Sequence, residues 1–483
     1  MKYVSVIVDK INWVKENIIG SFYYKKVREN AVIIFASLLI AMFCVLISYP
    51  GILYSDSYGR VDTADKVRVA INLLFSGQRA LIEPIECWIT LVPSVFIAIA
   101  RMLTGNIATY TLAQSFAFFL VSFLMIKRIG TSYKWLQYIL FVINPLFYTE
   151  AIYYEASVGC VIGIVAIVLI LDSGRNEKNI FDKMIEFGLL ALASFVAFGY
   201  RANAFTIIPV LAIYIMIQKW HALKKVWVTI ALVTGLLLVL FVPKVLKVDT
   251  MGSSMAGFVW EMLVSINEME PEKKEEYMDY LDELAGEGAT ESALNVVSDY
   301  IVLSYMGSDI DAYALSADGA TGTVLKKYGE FILREPASYF ETKLDFTLKT
   351  LGVTEKLRND EYNYNLIERM WEWGFNDTNE RLMFYRQYYA VNNLLGEFIL
   401  RPWIVYVVSI VLVVYEWVKK SKNRELYVFL LFLAIFYYGA YVINTQSFEL
   451  RYFYPSLYMM WIMDIAILAR IVPDVIKRCM NRK

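Results

Sequence analysis

The chain has 483 residues, 58% hydrophobic and 19% charged, with a mean hydropathy of +0.48, whereas a soluble globular domain carries roughly 45 to 50% apolar and 25% charged residues. That balance excludes an ordinary soluble enzyme, and a net charge of −1 from 46 Lys and Arg against 47 Asp and Glu offers no basic excess for nucleic acid. One histidine, His221, rules out a Ser-His-Asp triad or a His-rich metal site, and Cys44, Cys87, Cys160 and Cys479 have neither zinc nor disulfide-framework spacing. Chemistry is left to carboxylates, Arg, Lys, Tyr and Ser.

Residues 1–30 are basic, and the apolar run that follows lacks a small-residue cleavage site, so it reads as an anchor rather than a removed signal. A bilayer span needs about 20 apolar residues. Ten runs qualify: 31–49, 107–126, 135–149, 156–172, 184–200, 204–218, 226–242, 398–418, 427–444 and 454–471. The run 86–103 is ambiguous, because Pro93 interrupts it and Arg101 sits near its end. If it does not cross, one side collects 24 Lys and Arg, from residues 1–30, 127–134, 175–183, 219–225, 419–424 and the tail from Arg470, and the opposite short loops hold almost none. The positive-inside rule then makes it an interfacial helix in an outer loop, 50–106, with both termini cytoplasmic. Scarce Cys and His and the absence of eukaryotic sorting signals point to a bacterial plasma membrane.

Segment 243–397 is polar, with 28 Asp and Glu against 14 Lys and Arg, and long enough to fold as a domain outside the membrane. Its periodic apolar runs Ala256–Val264, Val324–Leu333 and Tyr339–Leu351 predict helices, as does Leu366–Met370; the stretches 270–276 and 279–291 read as solvated helices. The expected fold is therefore an all-α polytopic membrane protein of about ten transmembrane helices. It has an N-terminal transmembrane module over 1–242, a mainly α-helical, acidic extracytoplasmic domain over 243–397, and C-terminal helices with a basic tail over 398–483. No internal repeat or inverted duplication supports a secondary transporter.

Polar residues gather at the outer ends of the runs. Asp56, just past the first span, is placed to take a proton from a sugar hydroxyl, though Ser55 or Asp56 can equally cap a helix starting near Ser57, with Asp62 and Asp65 as solvated helix residues. Glu83 and Glu86 fall on one face of a helix, where they can shape an acceptor pocket, bind a cation or merely cap. Glu150 and Glu155 sit between spans with no basic neighbour in sequence, and Glu155 at a span's start needs a partner such as Arg60, Arg201 or Arg451. Arg201 and Arg451 are isolated outer arginines, suited to clamp a lipid phosphate or to snorkel to headgroups. The aromatic-rich stretch 360–389 suits sugar stacking, an interfacial belt or a core.

The order of these features resembles the GT-C superfamily of integral membrane glycosyltransferases, within it the bacterial polyprenyl-phosphate-sugar-dependent enzymes. The features are an early Asp in the first outer loop, a Pro motif before an interfacial helix, a second acidic turn, Tyr-Arg-Ala-Asn-Ala at 200–204 and Glu-Leu-Arg-Tyr-Phe-Tyr-Pro at 449–455. The resemblance covers most of 31–242 and 440–471. It implies Asp56 as catalytic base, Glu155 as the second acid with Glu150 behind it, and Arg451, in an Arg-Tyr motif with Tyr452, as the donor-phosphate ligand. Arg201 and Asn203 match its Arg-x-Asn element. Glu83-Pro84 stands where many relatives carry His-Pro, which leaves the role of Glu83 open.

The implied partners are a polyprenyl-phosphate-linked sugar such as an undecaprenyl-phosphate sugar, a glycan or glycolipid acceptor, and membrane lipids. A monophosphate leaving group needs no metal, while a pyrophosphate donor would favour a divalent cation held by Asp56 and Glu155. A flippase or transporter of lipid-linked saccharides is the alternative, and would place charges near the midplane, where Asp464 is among the few. A polysaccharide polymerase is another.

Overall fold

The computed structural model describes residues 22–51, 55–87, 90–130, 134–143, 156–173, 180–250, 254–297, 308–310, 320–358, 398, 400–445 and 447–480. The helices run α1 Phe22–Glu29, α2 Ala31–Ser48, α3 Ser55–Phe75, α4 Leu91–Thr104, α5 Ala108–Ile129, α6 Lys134–Ile143, α7 Ala156–Asp172, α8 Ile180–Tyr200, α9 Ile208–Ile217 and α10 Ala222–Val245. They continue with α11 Ser254–Asn267, α12 Pro271–Glu275, α13 Asp282–Ala285, α14 Ala289–Val296, α15 Ala320–Arg334, α16 Pro336–Thr350, α17 Pro402–Val418, α18 Arg424–Ile443 and α19 Leu450–Met480.

Among the described residues α5, α10, α18 and the Leu450–Val472 part of α19 are long and apolar enough to cross a membrane, and α1 with Ala31–Leu46 of α2 is a fifth if that pair, bent by 61°, is one span. Other apolar helices are shorter. α7, with 17 residues, rises about 25 Å against a hydrocarbon thickness of about 30 Å. The run 135–149 is helical to Ile143, and the rest of it lies outside the described residues.

Burial in these helices is inverted relative to a soluble protein. Val32, Phe35 and Leu46 of α2, Leu240 of α10 and Val411 of α17 are exposed, while Ser37, Ser122, Gln137, Ser194 and Ser409 are buried. So many exposed apolar side chains on apolar helices belong in a nonpolar solvent. Small residues let the helices approach closely: a Cβ on Gly163 of α7 would meet the backbone of Ala197 of α8, and one on Gly235 of α10 would meet the Ala191 carbonyl.

Side chains tie the helix ends together at two levels. At the end that carries α1, Lys127 donates to Asn30 Oδ1 (2.6 Å), Arg128 to Asp172 and to Asn423 Oδ1 (2.9 Å), and Lys225 to the Met216 carbonyl (2.5 Å). There too Asp182, opening α8, accepts the Phe22 and Tyr23 backbone N–H groups (3.0 and 3.4 Å), and Arg470 pairs with Glu416. At the other end Thr111 Oγ1 donates to the Pro50 carbonyl (2.5 Å), Asn106 Nδ2 to Tyr49 Oη (2.6 Å) and the Trp403 backbone N–H to the Leu351 carbonyl (2.9 Å).

Two expectations are corrected. The fold is not all-α: β1 Ile85–Cys87 pairs in parallel with β2 Val248–Thr250, 85 opposite 248. The helix thought to begin at 86 begins at Leu91, so Glu83 and Glu86 share no helical face; Ile85 and Cys87 are buried and Glu86 exposed, the alternation of a strand. The loop also holds α3, whose Val61, Ala64, Val67 and Ala70 pack with Ile97 and Ala98 of α4.

The other correction concerns 279–291. Gly286 and Gly288 take φ of +104° and +77°, a region closed to a continuing right-handed helix, so the stretch splits into α13 and α14. The expected helices at 256–264, 324–333 and 339–351 are present as α11, α15 and α16, around Val259, Leu263, Leu281, Val324 and Phe331. Run 366–370 and the aromatic stretch 360–389 lie outside the described residues.

Candidate active site

Arg201 leaves α8 in extended backbone (φ −139°, ψ 116°) before a 3-10 turn, Ala202–Ile207. The Tyr200 carbonyl is taken by Thr90 Oγ1 at 2.8 Å. Arg451 is the second residue of α19, and its carbonyl would normally accept the N–H four residues on, at Pro455, which has none. That carbonyl is used across the bundle: Ser157 Oγ of α7 donates to it, and Arg201 Nη2 reaches it at 3.4 Å and Ser157 Oγ at 3.1 Å. Three helix termini thus meet at one oxygen.

The side chains converge as well. The guanidinium carbons of Arg201 and Arg451 lie 4.7 and 4.9 Å from the Tyr452 ring centroid, within cation–π range. Arg451 Nη2 is 3.4 Å from Tyr452 Oη, and its Nε donates to Glu449 Oε2 at 2.5 Å. Arg451 is 8% exposed and Glu449 2%, while Arg201 and Tyr452 are half-buried. A carboxylate just ahead of a helix N-terminus is favourable, and offsets the cost of an arginine in the first turn. Two guanidinium forks around one ring suit a phosphate with several oxygens.

The helical unit α11–α16 packs against this motif. Phe448 packs with Trp260 and Phe346 (5.8 and 5.2 Å), and Arg358 pairs by backbone with the segment, its N–H on the Phe448 carbonyl (2.8 Å) and its carbonyl accepting the Leu450 N–H (2.7 Å). Beside it Glu261, 1% exposed, accepts from Lys343 Nζ (2.5 Å), Tyr328 Oη (2.6 Å) and the Thr445 backbone N–H (2.8 Å). Burial lowers the Lys343 pKa, with Glu261 pulling it back; burial and the Glu261 charge push the Tyr328 phenol up.

The structure brings together Arg201, Arg451 and Tyr452 among the expected site residues. Asn203 is nearby in the 3-10 turn, half-buried, with its carbonyl accepting from Thr206 Oγ1 (2.8 Å). Asp56 is the second residue of α3, and its side chain lies outside the described residues, as do Glu150 and Glu155; Glu155 is two positions before Ser157 in sequence. Glu83 is exposed ahead of β1, away from a helical face. Arg60 is buried in α3. Asp62 pairs with Lys66 (3.0 Å), and Asp65 with Arg68 (3.6 Å) and Arg101, which fits a structural role in the α3–α4 pair.

Glu449 and Ser157 were missed, although the Glu-x-Arg spacing and the Pro four residues after Arg451 were visible signals. Among the described residues no group of three or more His, Cys, Asp or Glu gathers to hold a metal ion. No family model, curated protein or solved structure matches the chain.

Proposed function

We propose that the chain is an inverting membrane glycosyltransferase of GT-C type that moves a sugar from a polyprenyl-phosphate donor to a cell-envelope glycan or glycolipid at the outer face of a bacterial plasma membrane. The observation that carries this is the meeting of Arg201 and Arg451, 250 residues apart in sequence, at Tyr452. In this reading both guanidiniums hold the donor phosphate. Asp56 takes the proton of the acceptor hydroxyl, whose oxygen forms the new bond to the anomeric carbon as the bond to the polyprenyl phosphate breaks on the opposite face.

The topology that goes with it is ten passes, through α2, α5–α10 and α17–α19, with α3 and α4 outside. The helix-end contacts support it: at the α1 end the start of α2 meets the end of α5, which also bonds the end of α7 and the start of α18; the start of α10 meets the end of α9 and the start of α8; and Arg470 of α19 meets the end of α17. The starts of α7 and α19 meet the end of α8 at the opposite end, beside the external unit. Both termini then share the basic side. No resident metal is needed for a monophosphate leaving group.

The test is transfer from a radiolabelled polyprenyl-phosphate sugar by the full chain in proteoliposomes. Arg451→Ala lowers it by about 10²- to 10³-fold and Asp56→Asn by about 10²- to 10⁴-fold. Full transfer in both variants overturns the mechanism. Asp464, buried in α19 and accepting from Ser409 Oγ at 2.7 Å, favours the transporter reading. Translocation of the lipid-linked sugar by wild type, without transfer, would establish that instead.

A further inference from the structure

The external unit has an apolar face that its own core does not use. On α16, Thr342, Phe346 and Thr350 are buried, whereas Phe340 and Leu344, one turn apart, are 63% and 61% exposed, and Leu333 at the end of α15 is 83% exposed. Single exposed apolar residues are ordinary. The position of α16 sets these apart.

Lys343 Nζ donates to the Ile443 carbonyl at the end of α18 (2.8 Å), and the Leu351 carbonyl just past α16 accepts from Trp403 at the start of α17 (2.9 Å). Residues 343 and 351 are about 12 Å apart along a helix, close to the 8 to 10 Å between packed helices. α17 and α18 are such neighbours, through Tyr406 and Tyr438 (5.2 Å). Both anchor points therefore sit at the same end of the bundle, and α16 crosses the helix ends rather than rising away from them. Val353, just past α16, and Trp403, whose N–H bonds the Leu351 carbonyl, are exposed too, and Trp403, Val407, Val411, Val414 and Val418 are exposed at the spacing of one face of α17.

We infer that α16 is an interfacial helix that seats the external unit on the lipid surface, with Phe340 and Leu344 at the boundary of headgroups and acyl chains. Lipid is the occupant because the end of α16 is bonded to the start of α17, whose exposed valine stripe calls for the same nonpolar medium. Amphipathic helices lie in that plane with the apolar face about 5 to 10 Å deep, and Trp403 holds the position of an interfacial belt residue. The inference rests on the membrane reading of the bundle.

The experiment places a nitroxide at F340C, L344C, K326C or V411C of the full chain in phosphatidylethanolamine–phosphatidylglycerol nanodiscs, and reads collision with oxygen against a water-soluble nickel chelate. Lys326, on α15, is a water-facing reference. The oxygen-to-nickel ratio at 340 and 344 is expected to exceed that at 326 and to fall below that at 411. A ratio equal to that at 326, or a label shielded from both reagents by the chain itself, overturns the inference. A water-like ratio at 411 would instead break the membrane reading beneath it.

Discussion

At the α1 end of the bundle Arg128 faces Asp172, Arg470 faces Glu416 and Asp182 receives two backbone N–H groups, so each of these acids meets a cation or backbone donors. At the opposite end Arg201 and Arg451 share one aromatic ring, with Glu449 beside Arg451. A matched pair repays much of its desolvation internally and pins helices together. Two guanidiniums beside a common ring repel one another, and the Glu449 carboxylate lowers that cost on the Arg451 side. The first arrangement holds structure, and in the proposed reading the second holds a charged ligand in addition to the Arg451–Glu449 pair.

The contrast can be broken by exchanging the readouts. Arg470→Ala leaves the fully buried Glu416 without its cation, and should cost about 3 to 5 kcal/mol, seen as a lower unfolding midpoint in detergent, with binding of polyprenyl phosphate intact in whatever remains folded. Unchanged stability would remove the structural half of the comparison. Arg201→Ala should do the reverse, lowering transfer by about 10²-fold or more while the unfolding midpoint stays close to wild type. Equal losses in both measurements would make Arg201 one more structural charge.

Smaller effects sharpen the picture. Gly163→Val forces α7 from the Ala197 backbone and should destabilise by about 1 to 3 kcal/mol; a thermal scan at fixed detergent reads it. The smallest effect is a pH dependence in the α11–α16 unit. Burial would raise the Asp282 carboxyl, but hydrogen bonds from Thr290 Oγ1 (2.6 Å), the Thr290 N–H (2.9 Å) and the Gly288 N–H (2.7 Å) bring it below its ordinary value. The folded state then binds this proton less readily than the unfolded chain, so the stabilisation is present above about pH 4 and fades as pH falls through the folded value. Amide exchange at Gly288 and Thr290 should accelerate at low pH, relative to the intrinsic rate, in wild type and lose that dependence in Asp282→Asn.

Helices were the legible part of this chain, because apolar runs and 3.6-residue periodicity are local properties: Ala256–Val264 and Val324–Leu333 read directly as α11 and α15. β1 and β2 were not, since three-residue strands 163 positions apart in register leave no local trace. Arg201 and Arg451 stood out by isolation among apolar neighbours. Their meeting depended on a carbonyl freed by Pro455 and on Ser157, a pairing across helices that sequence order does not encode.

The α11–α16 unit is fastened at its entry by the β1–β2 ladder to the segment that carries α3 and α4, at its exit by the Arg358 pairing with Phe448 and Leu450, and between them by Glu261 on Thr445. A rigid body held at one point swings freely, and one held at two keeps a single axis of rotation. Fastenings at several separate points, with Lys343 on the Ile443 carbonyl and the Leu351 carbonyl on Trp403 besides these, leave none, so any bodily rocking of α11–α16 has to release some of these contacts first. Two of them lie on the segment 445–450 that presents Arg451, which makes that motion and the arginine pair mechanically inseparable.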